Sequence, residues 1–235
     1  MKTIAFIFAR GGSKGLPDKN VRLLAGKPLI AWSIDHALSI NRIDRVIVST
    51  DSEKIAAISK EYGAETPFLR PAELANDDTP EWLAWRHALN YLVESTGSLP
   101  EVMVSVPTTA PLRLPLDIEN CLDEYAKGET DMVITTTDSH RNPYFNMVKI
   151  NSKGLAELVN SPRSIIANRQ DVPSVYDMTT VCYVANPRFV MANDSFFQGR
   201  VRAVHIPKRR AIDIDTLLDF QIAESLFRFG ESKDE

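Results

Sequence analysis

The feature that most constrains this chain is an alternation. Short apolar, β-branched runs recur between segments of helical periodicity along most of its length. Ile4 to Phe8 is a continuous apolar run, as expected of a strand buried on both faces. Pro28 to Ser39 follows with Ile30, Ile34 and Leu38 at helical spacing. Val46 to Ser49 reads as a second strand. Ser52 then caps a helix carrying Ile55, Ile58 and Tyr62, and Gly63 ends it. Thr79-Pro80-Glu81 reads as a helix start, with Thr79 as the cap and Pro80 at the first helical position. Trp82, Trp85, Leu89 and Leu92 form the apolar stripe of that helix, read as core rather than as a stacking surface. Val102 to Val106, a helix marked by Ile118, Cys121, Leu122 and Tyr125, and Met132 to Thr135 continue the series. This alternation predicts an α/β fold with a mainly parallel, doubly wound sheet. Ligands of such sheets bind at the carboxyl ends of strands, so the loops that follow strands are where chemistry is expected.

The alternation fails between Ser139 and Asp177. Pro143, Pro162, Pro173 and the hairpin-like Asn151-Ser152-Lys153-Gly154 predict a subdomain, 139–177, inserted within one domain spanning 1–235. Strand patterning returns at Val181 to Val184 and Val201 to Ile206, before a last helix from Thr216 to Phe229. With 235 residues, 44% of them hydrophobic, the chain can bury a core without a disulfide or structural metal. Cys121 and Cys182, lacking any CxxC or histidine companion, read as buried free thiols. A net charge of −4 argues against bulk nucleic-acid or membrane binding, and no stretch approaches the roughly 20 apolar residues of a membrane span. The apolar start runs into Arg10-Gly11-Gly12 rather than a small-residue cleavage site, so it reads as a strand and not a leader. A cytoplasmic protein is expected.

The first loop after a strand is Ala9-Arg10-Gly11-Gly12-Ser13-Lys14-Gly15-Leu16-Pro17-Asp18-Lys19-Asn20. Its glycines allow backbone N–H groups to approach an anion and make positive φ inexpensive. Arg10, Lys14 and Lys19 add cations, and Ser13 and Asn20 add neutral hydrogen-bonding groups, a mixture suited to a polyphosphate. Neither the GxxxxGK[ST] nor the GxGxxG spacing is present, which disfavours a Walker A loop and a nicotinamide site. A solvated basic turn is the alternative. The second candidate is Ala211-Ile212-Asp213-Ile214-Asp215-Thr216. If extended, it turns Ile212 and Ile214 to one face and Asp213 and Asp215 to the other. Two adjacent carboxylates repel unless a cation lies between them, and Mg²⁺, held by carboxylates and substrate phosphates, is the natural occupant. Alone, the pair reads equally well as a helix cap; together with a phosphate loop it points to nucleotide chemistry.

The glycine loop, Arg70-Pro71-Ala72-Glu73-Leu74-Ala75 and Ile212-Asp213-Ile214-Asp215-Thr216-Leu217-Leu218-Asp219 together resemble the acylneuraminate cytidylyltransferases, the CMP-sialic acid synthetases, in order over nearly the whole chain. The resemblance implies a Rossmann-like nucleotidyltransferase fold, a homodimer exchanging the inserted arm, and transfer of CMP from CTP to a nine-carbon 2-keto sugar acid with a divalent cation such as Mg²⁺. By position it casts Arg10, Gly11, Gly12, Ser13, Lys14, Lys19 and Asn20 as the CTP loop, with Arg70 and Thr79 as further nucleotide contacts. It casts Asp213 and Asp215 as metal ligands and Arg169 as the essential arginine of the arm; Lys19 and Arg169 join the two aspartates as catalytic candidates.

The chain departs from the sialic acid members at Val106-Pro107-Thr108-Thr109-Ala110-Pro111 and at Tyr176-Asp177-Met178-Thr179-Thr180. Arg141-Asn142-Pro143-Tyr144-Phe145-Asn146 and Tyr176-Asp177-Met178 look more like the branch acting on bacterial relatives such as legionaminate. Thr108, Arg141, Tyr144, Arg169 and Tyr176 are therefore the sugar-acid candidates. The alternatives are another sugar nucleotidyltransferase, forming CMP-Kdo or an NDP-hexose, and a catalytically silent nucleotide-binding regulator. No general base stands out: His36 and His87 lie on helices, and His140 and His205 lack evident partners. Lys208-Arg209-Arg210 reads as a solvated basic face.

Overall fold

Apolar runs buried on both faces must sit inside a sheet covered by helices, and the chain builds one such sheet. A computed structural model describes residues 2–160 and 172–228. In chain order the elements are β1 (Thr3–Phe8), β2 (Leu23–Leu24), β3 (Lys27–Pro28), α1 (Leu29–Leu38), β4 (Arg45–Ser49), α2 (Glu53–Glu61), α3 (Glu81–Thr96) and β5 (Val102–Ser105). There follow α4 (Pro115–Ala126), β6 (Met132–Asp138), β7 (Val148–Ile150), β8 (Ala156–Leu158), β9 (Tyr176–Ala185), α5 (Pro187–Ala192), β10 (Val201–His205) and α6 (Leu217–Arg228).

The main sheet has six strands in the order β10-β6-β9-β5-β1-β4. β1 pairs in parallel with β4 and β5, and β10 with β6. β9 is the exception, antiparallel to both β5 and β6. The expectation of a mainly parallel α/β sheet holds. Side chains of the sheet separate into two cores. Ala5, Ile7, Val46, Val104 and Val184 pack with Ile30 and Ile34 of α1 and Ile118 and Cys121 of α4. Ile4, Phe6, Ile47 and Met103 pack with Trp82, Trp85 and Leu89 of α3 on the other side. Both tryptophans are buried core, as their spacing implies. Cys121 and Cys182 are buried free thiols.

Local chemistry sets most boundaries. Ser52 accepts a hydrogen bond from Ile55 N at 3.4 Å, and Gly63 takes φ 89 just past α2. The start of α3 differs from the sequence reading. Pro80, with φ −56 and ψ 131, occupies the cap position, so the helix begins at Glu81. The Thr79 hydroxyl instead donates to the Glu73 carbonyl at 2.9 Å, tying the chain to the preceding turn.

β6 runs on past Thr135 to Asp138, and β9 returns from Tyr176. Between them lies the separate β7–β8 sheet, where Val148 and Ile150 of β7 and Leu155 just before β8 are 55%, 65% and 61% exposed, an apolar surface that the described residues leave open. The β6–β9 ladder is irregular where Val133 faces Val184 but Thr135 faces Thr179, so β9 carries extra residues there. The buried Thr135 hydroxyl satisfies the disturbed backbone, reaching Thr179 O at 3.1 Å and Cys182 O at 3.3 Å. Such bulges re-aim side chains, and this one lies beside the site.

Candidate active site

β1 delivers the glycine loop to the carboxyl edge of the sheet, and neighbours fix it there. Ala9 N donates to Ser49 O at 3.0 Å, Gly11 N to Asp51 Oδ1 at 2.8 Å, and Asn20 Nδ2 to Arg10 O at 2.9 Å. Leu16, from the middle of the loop, is buried with Leu24, Leu29, Ile214, Phe220 and Ala223. This small core joins the loop, the acidic segment and α6. Fully burying each such side chain is worth ~1.5–3 kcal/mol, enough to hold two loops in register. The glycines act differently from expectation: none of Gly11, Gly12 or Gly15 has a left-handed φ, and Asp18 (φ 55) makes the tight turn instead. Close approach is what demands Gly15, because a Cβ there would lie 2.3 Å from the Asp215 carbonyl oxygen.

The acidic segment is reached through a 3₁₀ turn, Lys208–Ala211. Lys208 is exposed, as expected of a solvated face, but Arg209 and Arg210 are not. Arg210 grips the buried carboxylate of Asp117, with Nε 3.0 Å from Oδ2 and one terminal nitrogen 3.1 Å from Oδ1, and Arg209 donates to Leu226 O at 3.2 Å. Asp117 in turn accepts from Leu114 N at 2.9 Å at the start of α4, so the turn is anchored to that helix. Residues 212–216 join no ladder. Ile214 N donates to Thr109 O at 2.8 Å, and the Ile214 side chain is fully buried. The start of α6 is capped by Thr216 and Asp219: Asp219 Oδ2 accepts from Thr216 N and Oγ1, both at 2.7 Å, and Thr216 Oγ1 accepts from Asp219 N at 3.3 Å. Those contacts, Thr216 Oγ1 first, hold the Asp219 carboxyl below its usual range. Asp213 and Asp215 are thereby spared the capping role.

Their own partners differ. Asp213, half-buried, accepts from Thr180 Oγ1 at 2.9 Å, and Thr180 Oγ1 accepts from Thr109 Oγ1 at 3.1 Å. Asp215, exposed, lies 3.3 Å from Lys19 Nζ, which also donates to the Ile214 carbonyl at 2.7 Å. Both aspartates border a cavity of about 280 Å³ together with Phe8, Arg10, Arg70, Asp77, Thr79, Glu81, Thr108, Thr109, Thr180 and Tyr183.

Of the candidates from sequence, Arg10, Arg70, Thr79, Thr108, Asp213 and Asp215 are brought together here. Thr108 Oγ1 donates to Asn20 Oδ1 at 2.7 Å, linking the loop after β5 to the glycine loop. Gly11 and Asn20 line a smaller recess beside Ser52 and Lys54. Lys14 approaches through Asp77, whose carboxylate is 2.5 Å from both Lys14 Nζ and an Arg10 terminal nitrogen. Lys14, then Arg10, holds Asp77 below the usual carboxylate range. Gly12, Ser13 and Tyr144 border neither cavity. Arg141 and Tyr176 line a separate cavity at the root of the β7–β8 arm. Arg169 lies outside the described residues.

Glu81 and Arg113 are site residues that no sequence signal singles out, and Arg70, expected as a nucleotide contact, has a second role. Arg70 is buried and gives Nε to Ser49 Oγ at 3.2 Å, another nitrogen to Ser49 O, and a third to Leu74 O at 3.5 Å, so much of its capacity holds the wall of the site. Burial lowers its pKa. Glu81 faces the cavity, yet protein crowds its carboxyl, and that loss of water raises its pKa against the pull of Trp85 Nε1 and Arg70. Arg113, 1% exposed, donates to Val181 O at 2.8 Å, Ser33 Oγ at 2.7 Å and the Pro107 carbonyl. It joins the base of the Thr108–Thr109 loop to β9, and burial brings its pKa down to about 10. No histidine borders the cavity. His205, expected to lack a partner, has Nε2 3.3 Å from Asp138 Oδ1 at the exposed end of β10.

The donor set fits a hard divalent cation. Asp213 and Asp215 face one cavity, which Asp77 and Glu81 also border, and among the described residues no cluster of three or more His, Cys, Asp or Glu surrounds a metal position. Remaining coordination would fall to substrate phosphates and water, as Mg²⁺ prefers. An α/β sheet that opposes a cationic loop to paired aspartates at its carboxyl edge is laid out for a nucleotidyl-transfer enzyme.

The chain belongs to the cytidylyltransferase family, whose model matches residues 4–225. It is 36% identical over 220 residues to a CMP-N,N'-diacetyllegionaminic acid synthase of Campylobacter jejuni, covering 94% of this chain and 92% of that protein. It is 34% identical over 222 residues to post-translational flagellin modification protein B of Campylobacter coli, covering 94% and 93%. Among solved structures, it superposes on a CMP:2-keto-3-deoxy-manno-octonic acid synthetase complexed with CTP at a TM-score of 0.71 with 14% identity, covering 97% of this chain and 99% of the other. A 4-diphosphocytidyl-2C-methyl-D-erythritol synthase from Anaerococcus prevotii gives a TM-score of 0.65 at 17% identity, covering 97% and 96%. Those two likenesses show the fold.

Proposed function

We propose that the protein transfers CMP from CTP to a nine-carbon 2-keto sugar acid of the legionaminic or sialic type, releasing pyrophosphate. The observation that carries this reading is the convergence of Arg10, Asp213 and Asp215 on one cavity in a cytidylyltransferase-family chain. The 36% identity to the Campylobacter legionaminate enzyme supports the acceptor class. In the proposed reaction the anomeric oxygen attacks the α-phosphorus in line. The new O–P bond forms as the bond from the α-phosphorus to the bridging oxygen breaks; pyrophosphate carries off the electron pair, and the proton of the anomeric hydroxyl passes to solvent.

Asp213 and Asp215 would hold Mg²⁺, which when bound supplies charge neutralisation for the triphosphate and the departing pyrophosphate. Arg10, Lys14 and the amides of the glycine loop orient the phosphates, with Asp77 balancing the two cations until the nucleotide arrives. Lys19 orients Asp215. Positioning and electrostatics supply most of the rate in chemistry of this kind.

The arm between β6 and β9 completes the reading as a homodimer. The exposed apolar face of β7–β8 supports it, as does the placement of Arg141 and Tyr176 away from their own chain's nucleotide cavity. Arg169 enters on resemblance alone, as the arm's arginine meeting a carboxylate or phosphate in the partner's site. Among the described residues no helix is long and apolar enough to cross a membrane, in keeping with a cytoplasmic enzyme. The test is pyrophosphate release with Mg²⁺ and a sugar acid. Turnover with CTP supports the reading. Turnover with UTP or GTP but not CTP overturns it in favour of another sugar nucleotidyltransferase; CTP binding without turnover on any sugar acid favours a silent regulator.

A further inference from the structure

The two aspartates share a cavity but not a mode of support. Asp215 is exposed and offset by a lysine, whereas Asp213 is half-buried and held by a chain of neutral hydroxyls: Thr109 Oγ1 donates to Thr180 Oγ1 at 3.1 Å, and Thr180 Oγ1 donates to Asp213 Oδ1 at 2.9 Å. We infer that Thr180 is a positioning residue for Asp213, setting which carboxylate oxygen is presented to the divalent cation. This deepens the cytidylyltransferase reading and rests on it.

The fold is arranged to put that hydroxyl there. Thr180 lies in the stretch of β9 where the ladder to β6 slips, between the pairs Val133–Val184 and Thr135–Thr179. On the other edge, the β5–β9 ladder pairs only Tyr183, Val184 and Ala185 of β9, so the residues that precede Tyr183 are released from β5 as well. Two buried groups replace the missing ladder bonds. Thr135 Oγ1 takes the strand on one side, and Arg113 Nε holds Val181 O at 2.8 Å on the other. Arg113 also holds the Pro107 carbonyl, which precedes Thr108 and Thr109, so donor and relay hang from one buried cation. The acceptor is fixed in turn because Ile214 N donates to Thr109 O at 2.8 Å. Thr109, Thr180 and Asp213 are thus mutually positioned from three separate segments.

The chemistry follows from valence. A hydroxyl has one proton to give, and Thr109 donating to Thr180 leaves the Thr180 proton for Asp213. With one lone pair of Oδ1 engaged, Oδ2 is the less encumbered oxygen to meet a cation, and the hydrogen bond favours one rotamer of the carboxylate before nucleotide arrives. Groups that orient a metal ligand from behind are commonly worth ~10–100-fold in metal affinity or activity.

The test uses the full-length protein, Mn²⁺ as the probe, and electron paramagnetic resonance to count bound ion in the presence of CTP, with no sugar acid. Thr180→Val keeps the β-branched shape and removes the hydroxyl; Thr180→Ser keeps the hydroxyl. Thr180→Val is expected to weaken Mn²⁺ binding by ~10-fold or more, with a circular-dichroism spectrum and metal-free melting temperature like those of the parent. Thr180→Ser is expected to bind Mn²⁺ close to the parent. Parent-like Mn²⁺ binding by Thr180→Val overturns the relay while leaving the enzyme assignment intact. Equal weakening in both variants overturns it too, since the hydroxyl would then be irrelevant. A parent protein that binds no Mn²⁺ with CTP brings down the metal assignment itself, a different result from failure of the relay.

Discussion

Lys19 Nζ lies 2.7 Å from the Ile214 carbonyl and 3.3 Å from Asp215 Oδ1, joining the first loop of the chain to its last acidic segment. The lysine is mostly buried while Asp215 is open to the cavity, so the contact serves to aim the carboxylate more than to stabilise the fold. An exposed partner limits what an ion pair contributes. Lys19→Met is accordingly expected to lower turnover by ~10-fold or more while the protein remains folded. Steady-state pyrophosphate release, read beside a melting curve, checks this.

Gly15 and Gly12 are an internal control for the same contact. A Cβ on Gly15 would lie 2.3 Å from the Asp215 carbonyl, whereas one on Gly12 meets nothing within 4 Å. Gly15→Ala must push the acidic segment away from the loop, and a displacement of that order is expected to cost ~10–100-fold in turnover. Gly12→Ala, whose Cβ meets no protein atom, is expected to lose less turnover than Gly15→Ala. Comparison of kcat for the two variants decides it.

Arg113 is a buried cation serving three acceptors on separate segments. Arg113→Met fills much of the volume but strands the carbonyls of Pro107 and Val181. A loss of about 3 kcal/mol is expected, which for a chain of this size lowers the melting temperature by roughly 6–12 °C. Differential scanning calorimetry measures it directly.

His36 has a buried Nδ1 with no hydrogen-bond partner among the described residues, and burial, then Arg113, depress its pKa from 6.5 to about 4. The folded state therefore binds fewer protons than the unfolded state between these values. The resulting penalty is absent above pH 6.5 and grows as pH falls toward 4. From pH 7 to pH 5 it amounts to ~2 kcal/mol. Urea unfolding at the two values should show that drop, and His36→Gln should shrink it.

Much of this architecture was legible because it is local. The apolar run Ile4–Phe8, the Gly63 stop and the tryptophan stripe of α3 each depend on residues within a turn or two. The direction of β9 was not legible, since a strand buried on both faces is apolar whichever way it runs. The helix start at Glu81 moved by one residue because Pro80 itself took the cap position. At the site, the glycine loop and the aspartate pair announced themselves by composition, but their supports did not. Thr180 and Asp213 are 33 positions apart, and Arg210 and Asp117 are 93. Hydroxyls and ion pairs that meet only through the fold leave no spacing to read, which is why Arg209 and Arg210, beside the exposed Lys208, read as solvated surface.

The central claim is CMP transfer to a nine-carbon 2-keto sugar acid, and ³¹P NMR of the full-length protein with CTP and Mg²⁺ tests it most directly. Legionaminic, sialic, pseudaminic and Kdo acids serve as the acceptor panel. The account predicts a new phosphodiester resonance together with pyrophosphate for a legionaminic or sialic acid, and the loss of both signals in Asp215→Ala that still folds. A phosphodiester with Kdo alone, or undiminished signals from Asp215→Ala, would contradict it.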